Sequence, residues 1–80
     1  MYKVEFEYFK YGLFPQGRSV VKRMKKCISA PEFVRRHDPP LVLADDIDIH
    51  VTVFDNQGEA VSDCWVSDIK KIDREWQSLR

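Results

Sequence analysis

The sequence predicts an α+β domain of two layers, in which an antiparallel sheet is covered by one or two short helices. Two segments alternate apolar and polar residues with a period of two, which is typical of half-buried strands. Two other segments begin with a serine followed by residues that favour a helix. Taken in order, the elements follow the pattern β-β-α-β-β-α. The 80 residues are expected to form one domain, 1–80, because domains commonly contain about 100–200 residues.

The first strand is predicted from Tyr2 to Phe9, where apolar and aromatic residues alternate with charged ones. Two glycines and a proline then interrupt regular structure, so the sequence predicts a loop over 11–17.

Residues 19–28 fit two patterns. As a helix, they place their apolar residues on one stripe and four cations opposite. The next four residues, Ser29–Glu32, form a capping box with proline in the first turn, which predicts a helix that starts there. A helix that ended at Ile28 would leave no residues for a chain reversal, whereas a strand needs none. We therefore predict a strand over 19–28 and keep the helix as the alternative.

Two helices are predicted. The first runs from Pro31 to near His37, because the Asp-Pro-Pro that follows cannot continue it. The last is predicted to be capped by Ser67, with a strand over 69–76 as the alternative. Its buried stripe would consist of Ile69, Ile72, Trp76 and Leu79.

The third and fourth strands are predicted to form a hairpin. The third strand is Ile47 to Phe54, the clearest alternation in the chain. Asp55 to Gly58 supplies the turn, with aspartate at its first position and glycine at its fourth.

Two registers of this hairpin exchange the faces of the fourth strand. A three-residue loop with a glycine bulge pairs Val53 with Val61 and Ile49 with Trp65. It leaves Asp63 on the apolar face. A four-residue loop turns Val61 and Trp65 outward instead. We predict the first register because it buries the larger side chains.

The net charge is zero, from 13 basic and 13 acidic side chains, but the charges are divided along the chain. Residues 1–40 carry a net charge of +5, and residues 41–80 carry a net charge of −5. Either the halves neutralise each other across the sheet, or the charges face two ways as on an interaction surface. The longest apolar run has four residues, far fewer than the ~18 of a membrane span.

Neither catalysis nor a bound cofactor is predicted. No leader-like apolar stretch follows Met1, which predicts a cytoplasmic protein with two free thiols. No phosphate-binding loop, nucleophile elbow or dinucleotide motif is present. His50 falls beside Asp63 or Cys64, but a half-exposed histidine on a sheet is the simpler interpretation. The candidate zinc ligands have spacings that match no ligand pair, so no metal is predicted. They are Cys27, His37, His50 and Cys64.

Three groups of side chains are predicted to contact a partner, with a solvated surface as the plainer alternative for each. The basic group is Arg18, Lys22, Arg23, Lys25 and Lys26. The acidic group is Asp45, Asp46 and Asp48. The aromatic group is Phe9, Tyr11, Phe14 and Phe54. Cations beside aromatic residues suit single-stranded nucleic acid, and an acidic face suits a cationic groove.

These features predict a small non-catalytic binding protein that occupies a surface of a larger protein or ribonucleoprotein. Proteins of this size and style are common among phage and mobile-element products that inhibit host machinery, including anti-CRISPR proteins, so such an inhibitor is the particular expectation. Direct nucleic-acid binding through the basic, aromatic N-terminal half is the alternative. The zero net charge and the lack of an RNP-type motif disfavour it. No membrane partner is predicted, and the sequence leaves the oligomeric state open.

Overall fold

Four strands form one antiparallel sheet, and two short helices cover one of its faces. The computed structural model describes residues 1–37, 41 and 43–71. Its strands are β1 (Tyr2–Lys10), β2 (Phe14–Met24), β3 (Ile47–Phe54) and β4 (Ala60–Trp65). Helix α1 is Ala30–Arg36, and helix α2 begins at residue 66 and is described to residue 71. The sheet order is β2-β1-β3-β4, which confirms the predicted α+β architecture and its β-β-α-β-β-α order.

Strand β2 confirms the prediction of a strand over most of 19–28, but it begins earlier than predicted. The loop expected over 11–17 is wrong beyond its first residues, because β2 starts at Phe14. Pro15 and Gly17 are accommodated because β2 is an edge strand whose pairing with β1 is irregular beside them, between Tyr8 and Phe9. The reversal itself is a tight turn in which the Leu13 N–H donates to the Lys10 carbonyl at 3.1 Å.

Helix α1 begins where the capping box predicts. The Ser29 hydroxyl accepts the N–H of Glu32 at 3.3 Å, and a proline occupies the first turn. The helix ends at Arg36, and the His37 N–H returns to the Val34 carbonyl. The predicted stop at 38–40 lies outside the described residues.

The buried core lies between the sheet and the two helices. Val4, Val51 and Val53 are fully buried at the centre of the sheet, and Val66 closes the core from the start of α2. Strand β2 contributes little, because ten of its eleven residues are exposed. The described core residues are Val4, Phe6, Ala30, Phe33, Val34, Ile49, Val51, Val53, Val66 and Ile69.

The register predicted for the β3–β4 hairpin holds at the turn, where Phe54 pairs with Ala60, but is wrong along the rest of the two strands. Strand β3 pairs with β4 so that Val51 faces Cys64 and Val53 faces Ser62, and Val61 is the extra residue of a bulge. The turn has the predicted form, since the Gly58 N–H donates to the Asp55 carbonyl at 3.1 Å. The three-residue loop is also as predicted, because the Asp55 N–H donates to the Glu59 carbonyl at 2.9 Å. The bulge at Val61 then shifts every later pair by one residue, so the small side chains of β4 face the core.

This register gives Asp63 and Trp65 partners on the open face of the sheet and places the Ser62 hydroxyl beneath α1. The Ala30 N–H at the start of α1 donates to the Ser62 hydroxyl at 2.9 Å. Asp63 reaches His50 on the open face, and Trp65 packs there against Phe9. The predicted register would instead have buried a carboxylate without a partner, which is costly.

The start of α2 also corrects a prediction. The helix begins at Val66 rather than after Ser67, so Ser67 lies in its first turn. The cap comes from β3: Asp48 accepts the Ser67 N–H at 3.2 Å and the Ser67 hydroxyl at 2.6 Å. Ile69 is buried as predicted. The other predicted stripe residues, at 72, 76 and 79, lie outside the described part of the chain.

Candidate binding surfaces

The two charges of the chain are separated to opposite edges of the sheet. The segment from Phe14 to Ile28, which contains β2, carries five cations and no carboxylate. The segment from Asp55 to Asp68, which contains β4, carries four carboxylates and no cation. We call these the basic edge and the acidic edge. The cations of the basic edge are Arg18, Lys22, Arg23, Lys25 and Lys26. The carboxylates of the acidic edge are Asp55, Glu59, Asp63 and Asp68.

The two edges are too far apart to neutralise each other. Strands β2 and β4 are separated by three strand spacings of about 4.8 Å, or about 14 Å in all. The Debye length at physiological ionic strength is only about 8 Å. Each edge therefore presents its own charge to solvent, and the zero net charge of the chain conceals two surfaces of opposite sign.

Strand β1, the neighbour of β2, does not neutralise the basic edge either. Arg18 lies opposite Glu7 in the register of β1 and β2, but Arg23 lies opposite Lys3 and Lys22 opposite Val4. Within the described residues, no ion pair joins any cation of the basic edge to a carboxylate, and all five are exposed. Of the two arrangements that the sequence left open, the structure has the one in which the charges face two ways.

The aromatic group divides into two exposed and two packed side chains. Tyr11 and Phe14 are 67% and 59% exposed at the β1–β2 turn, next to the basic edge. Phe9 packs against Trp65 with ring centroids 5.0 Å apart. The Phe54 ring lies 5.0 Å from the Lys3 ammonium. The Lys10 ammonium lies 5.6 Å from the centre of the Tyr11 ring, but Tyr11 and Phe14 are still the most exposed rings of the group and so the better candidates to anchor a partner.

Sequence reasoning did not select three further exposed apolar residues at this edge. Leu13 is 73% exposed beside the turn, and Val20 and Val21 are 42% and 36% exposed on β2. The exposure of Val20 and Val21 follows from the bulge at Val21 and from the edge position of β2, neither of which can be recognised in a single sequence.

Tyr11 holds an unusual backbone conformation. Its φ is +55° and that of Gly12 is +69°, as in the mirror-image turns that join tight hairpins. For a residue with a Cβ this conformation costs about 1–2 kcal/mol. The Tyr11 N–H donates to the Asp46 carbonyl at 2.6 Å, which ties the turn to the segment before β3. The ring therefore projects from a fixed position.

All three members of the acidic group line an open groove, but the carboxylate of Asp48 is also used inside the fold. A groove of about 560 Å³ is lined by Tyr11, Gly12, residues 43–48 and Ser67. Asp45 is exposed there and Asp46 half-buried. The Asp48 carboxylate is occupied by Ser67 and by the Ile49 N–H, which it accepts at 2.8 Å.

The titratable residues of β3 and β4 are not arranged for nucleophilic catalysis. His50 Nε2 lies 2.9 Å from Asp63 Oδ2 on the open face of the sheet. Cys64 belongs to the opposite face, because it pairs with the buried Val51. Burial, together with the negative charge of Asp63, raises the pKa of the Cys64 thiol to about 11. Both effects disfavour the thiolate, which is the nucleophilic form of cysteine.

Among the residues that the structure describes, no cluster of three or more histidine, cysteine or acidic side chains could hold a metal ion. No helix in the described ranges has the length and apolar character needed to cross a membrane. Comparisons with known protein families, curated proteins and solved structures find no match to this chain.

Proposed function

We propose that this chain is a non-catalytic cytoplasmic protein that binds a larger protein or ribonucleoprotein through its basic edge. The observation that carries the proposal is the set of five exposed cations that pair with no described carboxylate. Clustered charge of one sign attracts an oppositely charged surface and accelerates association. A small chain that covers such a surface can block a larger machine, which is how an inhibitor of the anti-CRISPR kind would act.

Exposed apolar residues beside the basic edge support a protein partner. Interfaces combine aromatic anchors with a charged rim. Tyr11, Leu13 and Phe14 would supply the anchors, and the basic edge would supply the rim. Asp45 and Asp46 remain a second candidate contact, for a cationic part of the same partner.

Charge reversal on the basic edge tests this proposal. The protein is used to capture partners from host lysate, and the affinity for the captured partner is then measured. Each exposed charge pair is worth up to about 1 kcal/mol, or about fivefold in affinity. A variant with Lys22→Glu, Arg23→Glu and Lys25→Glu should therefore bind on the order of 100-fold more weakly at low salt. The difference should shrink at high salt.

A matched pair of single variants provides the control. Lys25→Glu and Lys71→Glu make the same change of charge at exposed lysines, but only Lys25 belongs to the basic edge. The proposal requires that Lys25→Glu weaken binding and Lys71→Glu leave it nearly unchanged. Equal losses, or no partner captured at micromolar concentration, would contradict it.

Nucleic-acid binding is the second candidate, favoured by one observation. Tyr11 and Phe14 are exposed beside the cations of β2, and exposed rings next to a basic strand can stack on bases. Fluorescence anisotropy with a labelled single-stranded oligonucleotide distinguishes the two. Binding that falls steeply with salt supports this candidate, and a flat titration at low salt eliminates it.

A further inference from the structure

Among the residues that the structure describes, no strand covers the outer side of β2. Strand β2 is outermost, and ten of its eleven residues are exposed. The outer side of such a strand carries N–H and C=O groups that no neighbouring strand pairs. Its bulges leave two regular stretches, Gly17–Val20 and Lys22–Met24. These stretches are the places where another strand can add.

Cations flank this edge on both faces of the sheet. Lys22 lies opposite the buried Val4, which places it on the face covered by the helices. Arg18 and Arg23 lie opposite Glu7 and Lys3, on the open face. Side chains of an added strand point alternately to the two faces, so acidic side chains would meet a cation on either one.

A cleft continues the basic edge on the helix side. It has a volume of about 210 Å³ and lies between β2 and α1. Its lining residues are Val21, Lys22, Phe33, Arg36 and His37. A strand added beside β2 would direct every second side chain into this cleft, where the Lys22 ammonium can meet a carboxylate.

We propose that β2 takes up an extended acidic segment of a partner protein as a fifth strand of the sheet. Main-chain hydrogen bonds provide the affinity in this mode of recognition, and contacts of alternate side chains provide the specificity. The lysines and bulges of β2 hinder pairing of this edge with strands that carry no negative charge. This inference rests on the proposed function, because it names the kind of partner that the basic edge binds.

The basic charge disfavours a symmetrical alternative. If β2 paired with the β2 of a second copy, cations would face cations across the new ladder, which is destabilising. Nucleic acid would satisfy the charge but has no peptide backbone with which to extend the sheet. The acidic edge of a second copy also complements the charge of β2, so the oligomeric state of the protein alone is measured first.

The test uses the full chain and a synthetic peptide of alternating glutamate and valine. Nuclear magnetic resonance follows the binding of the peptide and the hydrogen exchange of each backbone amide. We expect the outward amides of β2 to exchange more slowly when the peptide is bound, while the amides of β4, at the other edge, stay unchanged. A peptide of the same sequence N-methylated at every residue keeps the charge but has no N–H donors, so it should bind at least about tenfold more weakly.

A matched pair of variants separates strand addition from general attraction. Lys22→Glu changes a cation on β2, and Lys26→Glu makes the same change beyond the end of the strand. Lys22→Glu should weaken peptide binding by about fivefold, and Lys26→Glu should weaken it clearly less.

Several results would overturn the inference. One is that the N-methylated peptide binds as tightly as the unmodified one, and another is that the β2 amides exchange as fast with the peptide as without it. A third is that Lys22→Glu and Lys26→Glu weaken binding equally. A fourth is that an oligonucleotide displaces the peptide without slowing exchange of the β2 amides. A protein that alone forms oligomers with protected β2 amides would also overturn it, because a second copy would then fill the edge. If charge reversal still abolishes capture of the partner, strand addition fails while the proposed function stands.

Discussion

Asp48 should contribute more to stability than any exposed carboxylate of the acidic group. Its two oxygens accept three hydrogen bonds, from the N–H of Ile49 and from the N–H and hydroxyl of Ser67. The bonds to Ser67 hold the first turn of α2 against β3, where Val66 and Ile69 enter the core. Asp48→Ala removes all three bonds and leaves the start of the helix without its cap.

The magnitude follows from those contacts. Loss of a helix cap costs about 0.5–2 kcal/mol, and a hydrogen bond to a charged group is worth about 1.5–3 kcal/mol. The site is only half-buried, so water replaces part of what is lost, and we expect about 2 kcal/mol. For a domain of this size each kcal/mol lowers Tm by about 4–8 °C, which gives a decrease of about 8–16 °C.

Urea unfolding measured by circular dichroism tests this estimate, with two control variants. Asp48→Asn keeps an acceptor for the Ser67 N–H and can donate to its hydroxyl, so it should cost less than half as much as Asp48→Ala. Asp45→Ala changes an exposed carboxylate and should stay within about 0.5 kcal/mol of the parent. The reasoning is refuted if Asp48→Ala is as stable as Asp45→Ala.

Two further predictions concern the β1–β2 turn and the thiols. Tyr11→Asn should raise Tm by about 4–8 °C in a thermal melt, because asparagine tolerates positive φ and the exposed ring contributes little packing; an unchanged or lower Tm would show that the turn is not strained. In thiol titration of the native protein at neutral pH, the exposed Cys27 should react quickly and Cys64 only on unfolding. Because the thiol pKa is about 11 in the folded protein against 9.0 for an ordinary cysteine, its contribution to stability is complete below pH 9.0 and is lost as the pH rises to about 11. Cys64→Ala should show a smaller decrease over that window, and an equal decrease would contradict the assignment.

The elements that were predicted correctly depend on residues close together in the chain. The capping box at Ser29 and the Asp55–Gly58 turn are satisfied by hydrogen bonds within a few residues, so their sequence signals are sufficient. The strand β2 was predicted for a local reason as well, because the helix cap at Ser29 left no room for a reversal. Its start was missed, since only the edge position of β2 makes a strand through Pro15 possible.

The sequence predicts which residues belong to the binding surfaces but not where those residues lie in the fold. The five cations of the basic edge were selected from sequence alone, yet whether they are paired depends on the register of β1 and β2. Phe9 and Phe54 were selected as exposed anchors, but each finds a neighbour on the open face, Trp65 or Lys3. Contacts of this kind join residues far apart in the chain, and one sequence carries no record of them.

Short-range patterns in the sequence therefore determine some features of this fold, and contacts between distant residues determine the others. The sequence by itself determined the class of fold, the starts of its first helix and second hairpin turn, and the division of charge between its halves, because periodicity and capping act over short distances. Only the tertiary structure decided the register of β3 and β4, the use of Asp48 as a helix cap and the separation of charge to opposite edges. Those features depend on which strands become neighbours, and that choice is made by packing the whole core at once.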